Sequence, residues 1–377
     1  MTARWLFDYR CALVNREGTG RAARELVRAL LARSDAPAVD LFGWTLAPTR
    51  VAEHELGIEA PLASGRTRLL RRRIPHRATD VLLRALRLGL DDLGSAALVH
   101  HFQLSHLPVR AALQTGTIYD TLWSDPNSAW LAPKDALGMA HRAHELARRC
   151  ARIHAPSGHA ADSIASVLGF PRARIDVVPL GADHLQHRPE CGTAPREDYL
   201  FTAARLDARK NHIAVLRALE RLDARGLCLP WVVAGPPGHG CEPFFDALAK
   251  SKVRARVHVV GELDENDLAA HHRAARLFVF PSLGEGFGLP PLEAMGFGVP
   301  TVASGAGSLA EVLGEGAWSV EPDDVDGLAD AIEALWPAGA LRERWRTRAR
   351  ERAALFTWDR AADAALRAWQ CALREAA

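Results

Sequence analysis

The stretch that decides the fold is Phe278–Pro300, which reads FVFPSLGEGFGLPPLEAMGFGVP. It begins within the apolar run Leu277–Phe280, which is typical of a buried strand in a parallel sheet. Gly284, Gly286 and Gly288 follow, and glycine permits backbone turns that residues with a Cβ resist. The pattern predicts a strand followed by a glycine-rich turn.

A short helix is predicted directly after this turn. Pro290 and Pro291 suit its first turn, where a missing N–H has no intrahelical partner to lose, and Gly298 is placed to end it. The first N–H groups of a helix lack internal partners and carry partial positive charge. The segment therefore predicts a site for phosphate, or for oxygen atoms that bear negative charge.

Two carboxylates frame the turn, because Glu293 stands eight positions after Glu285. With the surrounding EGFGLPPLEAMGFGVPTVAS, this spacing resembles the donor-site motif of the retaining glycosyltransferases of family 4, which have the GT-B fold. The resemblance implies that Glu285 faces the transferred sugar and that Glu293 binds the ribose of the nucleotide. It also implies that backbone N–H groups of the loop contact the sugar and the diphosphate, at Gly286, Phe287, Gly288 and Leu289. A helix start with two solvated acids is the alternative interpretation.

A cluster of cations has a related implication. Arg205 and Lys210 follow the apolar run Tyr199–Ala203, and ligands of α/β sheets bind at the carboxyl ends of parallel strands. The stretch Ala204–Asn211 resembles the family's Gly-Arg-x-x-x-Arg-Lys-Asn motif, with Ala204 in place of the glycine. The resemblance implies that Arg205 and Lys210 bind the diphosphate, the guanidinium in bidentate fashion and the ammonium as a point charge. A charged loop at a helix start is the alternative.

Two further loops are assigned to the donor by the resemblance. The backbone after Gly261, at Glu262 and Leu263, corresponds to a nucleobase contact of the family. Near the N-terminus, Gly18 and Gly20 correspond to a Gly-x-Gly-Arg loop whose backbone approaches the donor phosphate and sugar. A plain β–α connection is the alternative there.

The same two glycines also match a dinucleotide fingerprint. Gly18 and Gly20 have the required spacing, Asp40 stands further on, and a helix is predicted at Ala22–Ala32. The glycines do not follow the predicted strand Trp5–Tyr9 directly, as that fingerprint requires. An NAD-dependent oxidoreductase is therefore an alternative of another class.

The predicted strand Gly116–Tyr119 leads into a departure from the family. Many family members have a His-Asp pair where this chain has Tyr119 and Asp120, and that His lies near the donor sugar. The role of the His is not carried over to Tyr119, although a phenol can bond a sugar hydroxyl, and His101 or His106 can supply an imidazole. Asp120 is a candidate for the acceptor side of the cleft, with a catalytic role.

Residues 65–90 are basic and interleaved with apolar side chains. The arginines, which face a single acid at Asp80, are Arg66, Arg68, Arg71, Arg72, Arg73, Arg77, Arg84 and Arg87. A basic amphipathic segment can lie on an anionic membrane surface. GT-B enzymes that act on lipid-linked acceptors often carry such a patch. The segment therefore predicts a peripheral membrane contact, with a solvated helical face as the alternative.

Composition sets the remaining bounds. The 377 residues fit two domains, 48% hydrophobic and 24% charged residues are ordinary for a globular protein, and a net charge of +2 predicts no nucleic-acid partner. The six cysteines form no CxxC pair or zinc pattern, which favours a reduced cytoplasmic compartment. The N-terminal sequence MTARWLFDYR lacks the features of a signal peptide, and no run of about 18 apolar residues predicts a membrane span.

The alternation of strands and helices predicts an α/β protein with parallel sheets. The resemblance makes this the GT-B fold, two Rossmann-like domains that face each other across a cleft. Residues 1–190 are predicted to form the acceptor-side domain and 199–357 the nucleotide-sugar domain, with a polar linker at 189–198. The last helix, 358–377, is predicted to pack back on the N-terminal domain.

The predicted function is the retaining transfer of a hexose from a sugar nucleotide to a glycan or lipid-linked acceptor in surface polysaccharide or lipopolysaccharide assembly. GDP-mannose is the favoured donor, and the inner face of the cell membrane is the expected place of action. The lone Asp-x-Asp, Asp324-Val325-Asp326, lies past the site, so catalysis is predicted to need no metal and no cofactor. A GT-B enzyme that acts on a soluble sugar is a second enzymatic interpretation, and an inactive nucleotide-binding partner subunit is a non-catalytic one.

Overall fold

The structure is a computed structural model that describes residues 4–16, 18–44, 56–72, 96–107, 109, 113–125, 130–188 and 198–377. It consists of two compact units. The first comprises Met1–Thr121, Leu137–Gly181 and Trp358–Ala377, and the second comprises Leu122–Ala136 and Ala182–Thr357. The second unit thus takes in 182–188, ahead of the predicted linker, and it includes 122–136 from the sequence of the predicted first domain.

The first unit is built on a parallel sheet with the order β3-β2-β1-β4-β5-β6-β7 in the described part of the chain. Every pairing in it is parallel. The strands are β1 (Trp5–Asp8), β2 (Val39–Trp44), β3 (Thr67–Arg72), β4 (Leu98–His101), β5 (Leu113–Thr117), β6 (Arg152–Ala155) and β7 (Ile175–Val177).

Helices cover this sheet, and the last of them closes its core. Trp369 is fully buried, and its ring lies 4.9 Å from that of Phe7 in β1. Ser157 accepts a hydrogen bond from the N–H of Ala160 over 3.0 Å and so caps the helix that follows it. The helices are α1 (Arg10–Val14), α2 (Gly18–Ala32), α3 (Glu59–Ala63), α4 (Pro133–Arg149), α5 (Gly158–Leu168) and α13 (Trp358–Ala376).

The predicted glycine loop near the N-terminus is wrong in its secondary structure. An additional short helix, α1, follows β1, and α2 begins at Gly18 instead of Ala22. Gly20 therefore lies in the first turn of α2, where a Cβ would stand 2.0 Å from the carbonyl oxygen of Asn15. The glycine at this position is needed because the helix starts in close contact with the preceding chain.

The alternative of a solvated helical face does not hold for the first described residues of the basic segment 65–90. Thr67–Arg72 is the edge strand β3, and Arg68 lies opposite Asp40 of β2 in the register. The Nε atom of Arg68 donates to Oδ1 of Asp40 over 2.7 Å, and Nε of Arg4 donates to the same atom over 2.8 Å. Arginine in an edge strand can extend to solvent and pair across strands. The rest of the predicted membrane segment, 73–90, lies outside the described residues.

The second unit is built on another parallel sheet, with the order β10-β9-β8-β11-β12-β13. Each residue of β8, β9, β11 and β12 is buried, as expected for central strands covered on both faces. The strands are β8 (Leu200–Ala203), β9 (Trp231–Ala234), β10 (Val257–Gly261), β11 (Leu277–Phe280), β12 (Thr301–Ser304) and β13 (Trp318–Val320). The predicted parallel sheets are thus confirmed.

Helices flank this sheet as well. They are α6 (His212–Ala224), α7 (Glu242–Lys250), α8 (Glu265–Ala274), α9 (Leu289–Gly296), α10 (Leu309–Leu313), α11 (Val325–Leu335) and α12 (Ala340–Ala353). The predicted strand, glycine turn and helix of the opening stretch are confirmed as β11, the turn 281–288 and α9. Gly298 follows α9 with a φ of 73°, and its N–H donates to the carbonyl of Met295 over 2.8 Å.

Candidate active site

The site lies where the order of the second sheet reverses. β8 stands between β9 and β11, so the chain leaves β8 toward one edge and returns at β11 toward the other. The connections that leave the carboxyl ends of two such neighbouring strands run in opposite directions. Between them they leave a crevice that can bind a ligand. Lys210 follows β8 and Glu285 follows β11, which places both at this point.

Lys210 and Glu285 form a buried ion pair. The Nζ atom of Lys210 lies 2.6 Å from Oε1 of Glu285, and each side chain is 10% exposed. Nη1 of Arg209 lies 2.8 Å from the same oxygen, and the hydroxyl of Ser282 donates to it over 2.6 Å. The ammonium of Lys210 also stands 4.9 Å from the centre of the Phe280 ring. Two cations and a hydroxyl thus converge on one carboxylate oxygen.

These partners determine the ionisation of the site. Burial by itself raises the pKa of Glu285, but the charges of Lys210 and Arg209 outweigh it and lower that pKa to about 2. Burial lowers the pKa of Lys210, and the carboxylate of Glu285 opposes that effect. Glu285 is therefore ionised at neutral pH and its charge is offset by the neighbouring cations.

The backbone at Glu285 is held by the loop after β12. The N–H and the hydroxyl of Ser308 both donate to the carbonyl of Glu285, over 3.0 and 2.9 Å. Gly307 has a φ of 64°, and a Cβ there would lie 2.6 Å from the same carbonyl oxygen. On the other side, Nη1 of Arg209 donates to the carbonyl of Gly284 over 2.6 Å. The turn that presents Glu285 is therefore fixed by contacts on both sides.

The start of α9 has backbone N–H groups without an intrahelical partner. Gly288 has a φ of 103°, and a Cβ there would lie 2.4 Å from Cδ2 of Leu309. Pro290 and Pro291 occupy the first turn of α9 and have no N–H to offer. The N–H groups that this helix start can present to a phosphate are therefore those around Phe287, Gly288 and Leu289.

Glu293 is buried within α9 and pairs with a histidine that no sequence pattern indicated. Nε2 of His184 lies 3.1 Å from Oε1 of Glu293, and the two side chains are 1% and 2% exposed. The partner comes from the segment just after the start of the second unit at Ala182. Glu285 thus lies in the turn before α9 and Glu293 within α9, each with its own basic partner.

The remaining predicted donor residues of the second unit lie on neighbouring loops. Arg205 is exposed at the end of β8, where a Cβ on Gly238 would stand 2.8 Å from its Cγ atom. Glu262 is exposed and Leu263 is half-buried, directly after β10 at the sheet edge. The structure thus brings Lys210 and Glu285 into contact, while Arg205, Glu262 and Leu263 stand on adjacent loops of the same unit.

The other predicted site residues belong to the first unit. Gly18 and Gly20 lie in the first turn of α2, and Asp120 follows the end of β5. Burial raises the pKa of Tyr119, which lies beyond β5 and not within it. His101 is fully buried, with Nε2 3.2 Å from Oε1 of Gln114.

The dinucleotide interpretation loses its structural basis in this unit. Its first glycine must follow a strand directly, but α1 separates Gly18 from β1. Its acidic residue must be available to a ribose, but Asp40 pairs with Arg4 and Arg68. These positions serve the sheet and the start of α2.

Metal binding and membrane crossing each need a recognisable arrangement of side chains. Among the described residues, no group of three or more His, Cys, Asp or Glu side chains is arranged to hold a metal ion. Within the same residues, none of the helices combines the length and the apolar character that crossing a bilayer demands.

The comparison with known families concerns the second unit. Residues 184–352 match the family profile described as Glycosyl transferases group 1. Over these residues the chain is similar to the glycosyl transferases group 1. The matched range contains Lys210, Arg209, Glu285 and Glu293, so the buried ion pair lies inside the range that resembles this family.

Relatives extend the similarity along the chain. The O-antigen chain mannosyltransferase B of Escherichia coli is 26% identical over 361 residues, which cover 91% of this chain and 93% of that protein. The D-inositol 3-phosphate glycosyltransferase of Nocardia farcinica is 31% identical over 240 residues, 59% of this chain and 53% of that protein.

A solved structure supports the fold. Sucrose-phosphate synthase from Thermosynechococcus elongatus superposes with a TM-score of 0.76 over 100% of both chains, at 20% sequence identity. The chain thus has the predicted GT-B fold, with two parallel-sheet units.

Sequence reasoning missed several residues of the site. Arg209 stands in the cationic motif beside Lys210, so its position was the signal that could have identified it. Ser282, Ser308 and His184 come from other parts of the second unit, and only the fold brings them to Glu285 and Glu293.

Proposed function

We propose that this protein is a retaining hexosyltransferase that moves a sugar from a sugar nucleotide to a glycan or lipid-linked acceptor in surface polysaccharide assembly. The observation that carries the proposal is the contact of Lys210 with Glu285 at the point where the sheet order reverses, 2.6 Å between Nζ and Oε1. Both residues lie within the range that resembles the glycosyl transferases group 1. A cation for the leaving group and a carboxylate for the sugar are thereby adjacent.

Charge is the physical problem of the reaction. The diphosphate gains negative charge as the glycosidic bond breaks, while the sugar acquires oxocarbenium character. Lys210, with Arg209 and Arg205, would stabilise the departing diphosphate, together with the N–H groups of Phe287–Leu289. The partial exclusion of water strengthens these interactions, since Lys210 and Glu285 are each 10% exposed.

Glu285 is assigned an orienting role instead of a nucleophilic one. Its carboxylate is already engaged by Lys210, Arg209 and Ser282, which lowers its availability for forming a covalent bond. In this proposal it orients the sugar and offsets the developing positive charge. The acceptor attacks the same face that the leaving group departs from, and the leaving phosphate takes the proton of the acceptor hydroxyl, so the configuration is retained.

Positive side chains also replace a metal in the proposal. Lys210 and Arg209 already stand at the carboxylate, and Arg205 lies on the same loop. Since fixed cations can offset the charge of a diphosphate, no metal ion and no cofactor are needed. The sugar nucleotide is the substrate.

The relatives guide the choice of sugar and acceptor. The name of the Escherichia coli relative, an O-antigen chain mannosyltransferase, favours mannose and hence GDP-mannose as donor, with an O-antigen type glycan as acceptor. Such an acceptor would be met at the cytoplasmic face of the cell membrane, with contact through residues 65–90. The second relative is named for a small phosphorylated polyol, so a soluble acceptor is the second candidate.

A donor and acceptor screen tests the proposal. The purified protein is incubated with GDP-mannose, UDP-glucose or dTDP-glucose and either a lipid-linked mannoside or inositol phosphate. We expect release of GDP only when the lipid-linked mannoside is present, and an α-linked product by NMR, since the donor is an α-glycoside. A β-linked product would contradict retention, and turnover with inositol phosphate alone would favour the second candidate. A protein that binds none of these nucleotides would refute the glycosyltransferase assignment at this site.

A further inference from the structure

A buried histidine supports the carboxylate of α9. Nε2 of His184 lies 3.1 Å from Oε1 of Glu293, and both side chains are almost fully enclosed, at 1% and 2% exposure. A carboxylate removed from water to this degree requires donors or cations that compensate for its lost hydration. His184 brings a ring nitrogen against this carboxylate, from a segment more than a hundred positions earlier in the chain.

The segment that carries His184 is anchored along the same face of α9. A Cβ on Gly296 would lie 2.2 Å from Nε2 of Gln186, so the segment and the helix are in close contact. Gly296 stands three positions after Glu293 and therefore lies on the same helical face. At its start, the N–H of Ala182 donates to the carbonyl of Phe356 over 2.9 Å. His184 is thus held on a fixed turn and presents its ring to Glu293.

We propose that His184 is a positioning residue that orients the Glu293 carboxylate toward the ribose hydroxyl groups of the nucleotide. The inference rests on the proposed function, because it takes Glu293 as the ribose-binding group of the same site. A carboxylate whose plane is fixed accepts hydrogen bonds from two neighbouring hydroxyl groups more strongly, because these bonds are directional. An imidazole that contacts Oε1 supplies this restraint, as partners of binding groups commonly do.

The test is the discrimination between nucleotides with and without ribose hydroxyl groups. GDP and UDP, with their 2′,3′-dideoxy forms, are titrated into the wild type, His184→Phe and His184→Gln by calorimetry. For the nucleotide that binds more tightly, we expect the wild-type Kd of the dideoxy form to exceed that of the hydroxylated form by about tenfold or more. The ratio of these two Kd values is the quantity compared between variants. His184→Phe should reduce this ratio to less than about threefold without weakening the dideoxy form. His184→Gln should restore the ratio, because its amide places a polar nitrogen near the position of Nε2.

A matched control is available in the same turn. His187 is exposed, and His187→Phe should leave the ratio unchanged. If His184→Phe does not fold, the unaltered protein gives the answer by NMR, since the His184 ring signals should shift with the hydroxylated nucleotide and stay in place with the dideoxy form.

Two results overturn the inference alone. One is an equal weakening of both nucleotide forms in His184→Phe, which indicates a purely structural role, and the other is a ratio that survives this substitution. Failure of the wild type to bind either nucleoside diphosphate refutes the proposed function as well, and with it the ribose site. Calorimetry of the wild type therefore separates the two failures before any variant is measured.

Discussion

Lys210 and Glu285 are 75 positions apart in the chain, yet the ammonium of Lys210 donates to Oε1 of Glu285 over 2.6 Å. The two residues follow the adjacent strands β8 and β11, so the parallel sheet itself creates the contact. Arg209 reaches the same oxygen over 2.8 Å, which concentrates two positive charges on one carboxylate. In the proposed reaction these cations are in place before the donor arrives.

Removing Lys210 should impair both catalysis and stability. We expect Lys210→Ala to lower kcat/KM for the sugar nucleotide by more than about tenfold, or about 1.4 kcal/mol of transition-state stabilisation. The melting temperature should also fall, because the substitution removes one partner of the buried Glu285 carboxylate. Steady-state kinetics and thermal unfolding measure the two effects. Lys250→Ala, at an exposed position in the last turn of α7, is the control and should change neither quantity.

Arg205 should behave differently from Lys210. Its side chain is exposed at the end of β8. We expect Arg205→Ala to lower kcat/KM by more than about tenfold while the melting temperature stays within about 1 °C, since exposed substitutions rarely change stability by more than about 0.5 kcal/mol. Normal turnover in this variant would remove Arg205 from the diphosphate site.

Chelation of metals should leave activity intact. The charges of Lys210 and Arg209 stand where a metal ion would otherwise offset the diphosphate. We therefore expect the same initial rate in excess EDTA as in buffer alone, measured as acceptor-dependent release of nucleoside diphosphate. Activity that disappears with EDTA and returns with Mn²⁺ would show that the fixed cations are insufficient.

The local patterns of the sequence predicted the framework of the second unit well. Phe278 and Phe280 lie in an apolar run that is read directly as a buried strand, and Gly298 has the conformation expected after a helix. These features depend on neighbours in the chain, so a window of a few residues contains the information. The parallel sheets follow from the same alternation.

The features that the sequence analysis misplaced or missed depend on contacts between positions that are distant in the chain. Arg68 and Arg71 were placed in a basic amphipathic segment whose alternative was a helical face, but strand pairing with β2 determines their structure. Gly20 was placed in a loop, but its close approach to Asn15 belongs to a helix start. The contact of His184 with Glu293 depends on tertiary packing. Contacts between distant positions have no local sequence pattern, so a single sequence does not contain them in readable form.

The glycine that faces Glu285 should be intolerant of a side chain. Gly307 has a φ of 64°, and a Cβ would lie 2.6 Å from the carbonyl oxygen and 2.9 Å from the nitrogen of Glu285. We expect Gly307→Ala to cost about 1–3 kcal/mol of stability and to lower kcat, because the turn that presents Glu285 must shift. Urea unfolding and steady-state kinetics check the two parts.

Gly226 provides a matched control for backbone strain. It has a φ of 84° with no heavy atom near the position of a Cβ. Gly226→Ala should therefore show the strain of the left-handed conformation alone and leave kcat unchanged. Equal stability losses and equal kcat values in the two variants would show that the contact with Glu285 is unimportant.

Buried histidine in the first unit should make the protein sensitive to acid. His154 is fully buried in β6, its ring lies 4.8 Å from that of His100, and within the described residues neither of its ring nitrogens has a hydrogen-bond partner. Burial, partly opposed by Asp176, lowers the pKa of His154 from 6.5 to about 4. In the unfolded chain the ring takes up a proton near pH 6.5, whereas in the folded state it does so only near pH 4. Stability is therefore complete above pH 6.5 and decreases as the pH falls toward 4.

Replacing this ring with phenylalanine should remove part of that dependence. At pH 5 the unfolded state is protonated and the folded state is mostly not, which costs the wild type about 2 kcal/mol relative to pH 7.5. His154→Phe keeps an aromatic ring against Trp369 and carries no titratable nitrogen, so its loss of unfolding free energy between these pH values should be smaller by about this amount. Urea unfolding at both pH values gives the comparison. His159→Phe, at an exposed position, should keep the wild-type dependence. An identical decline in His154→Phe and the wild type would place the acid sensitivity elsewhere.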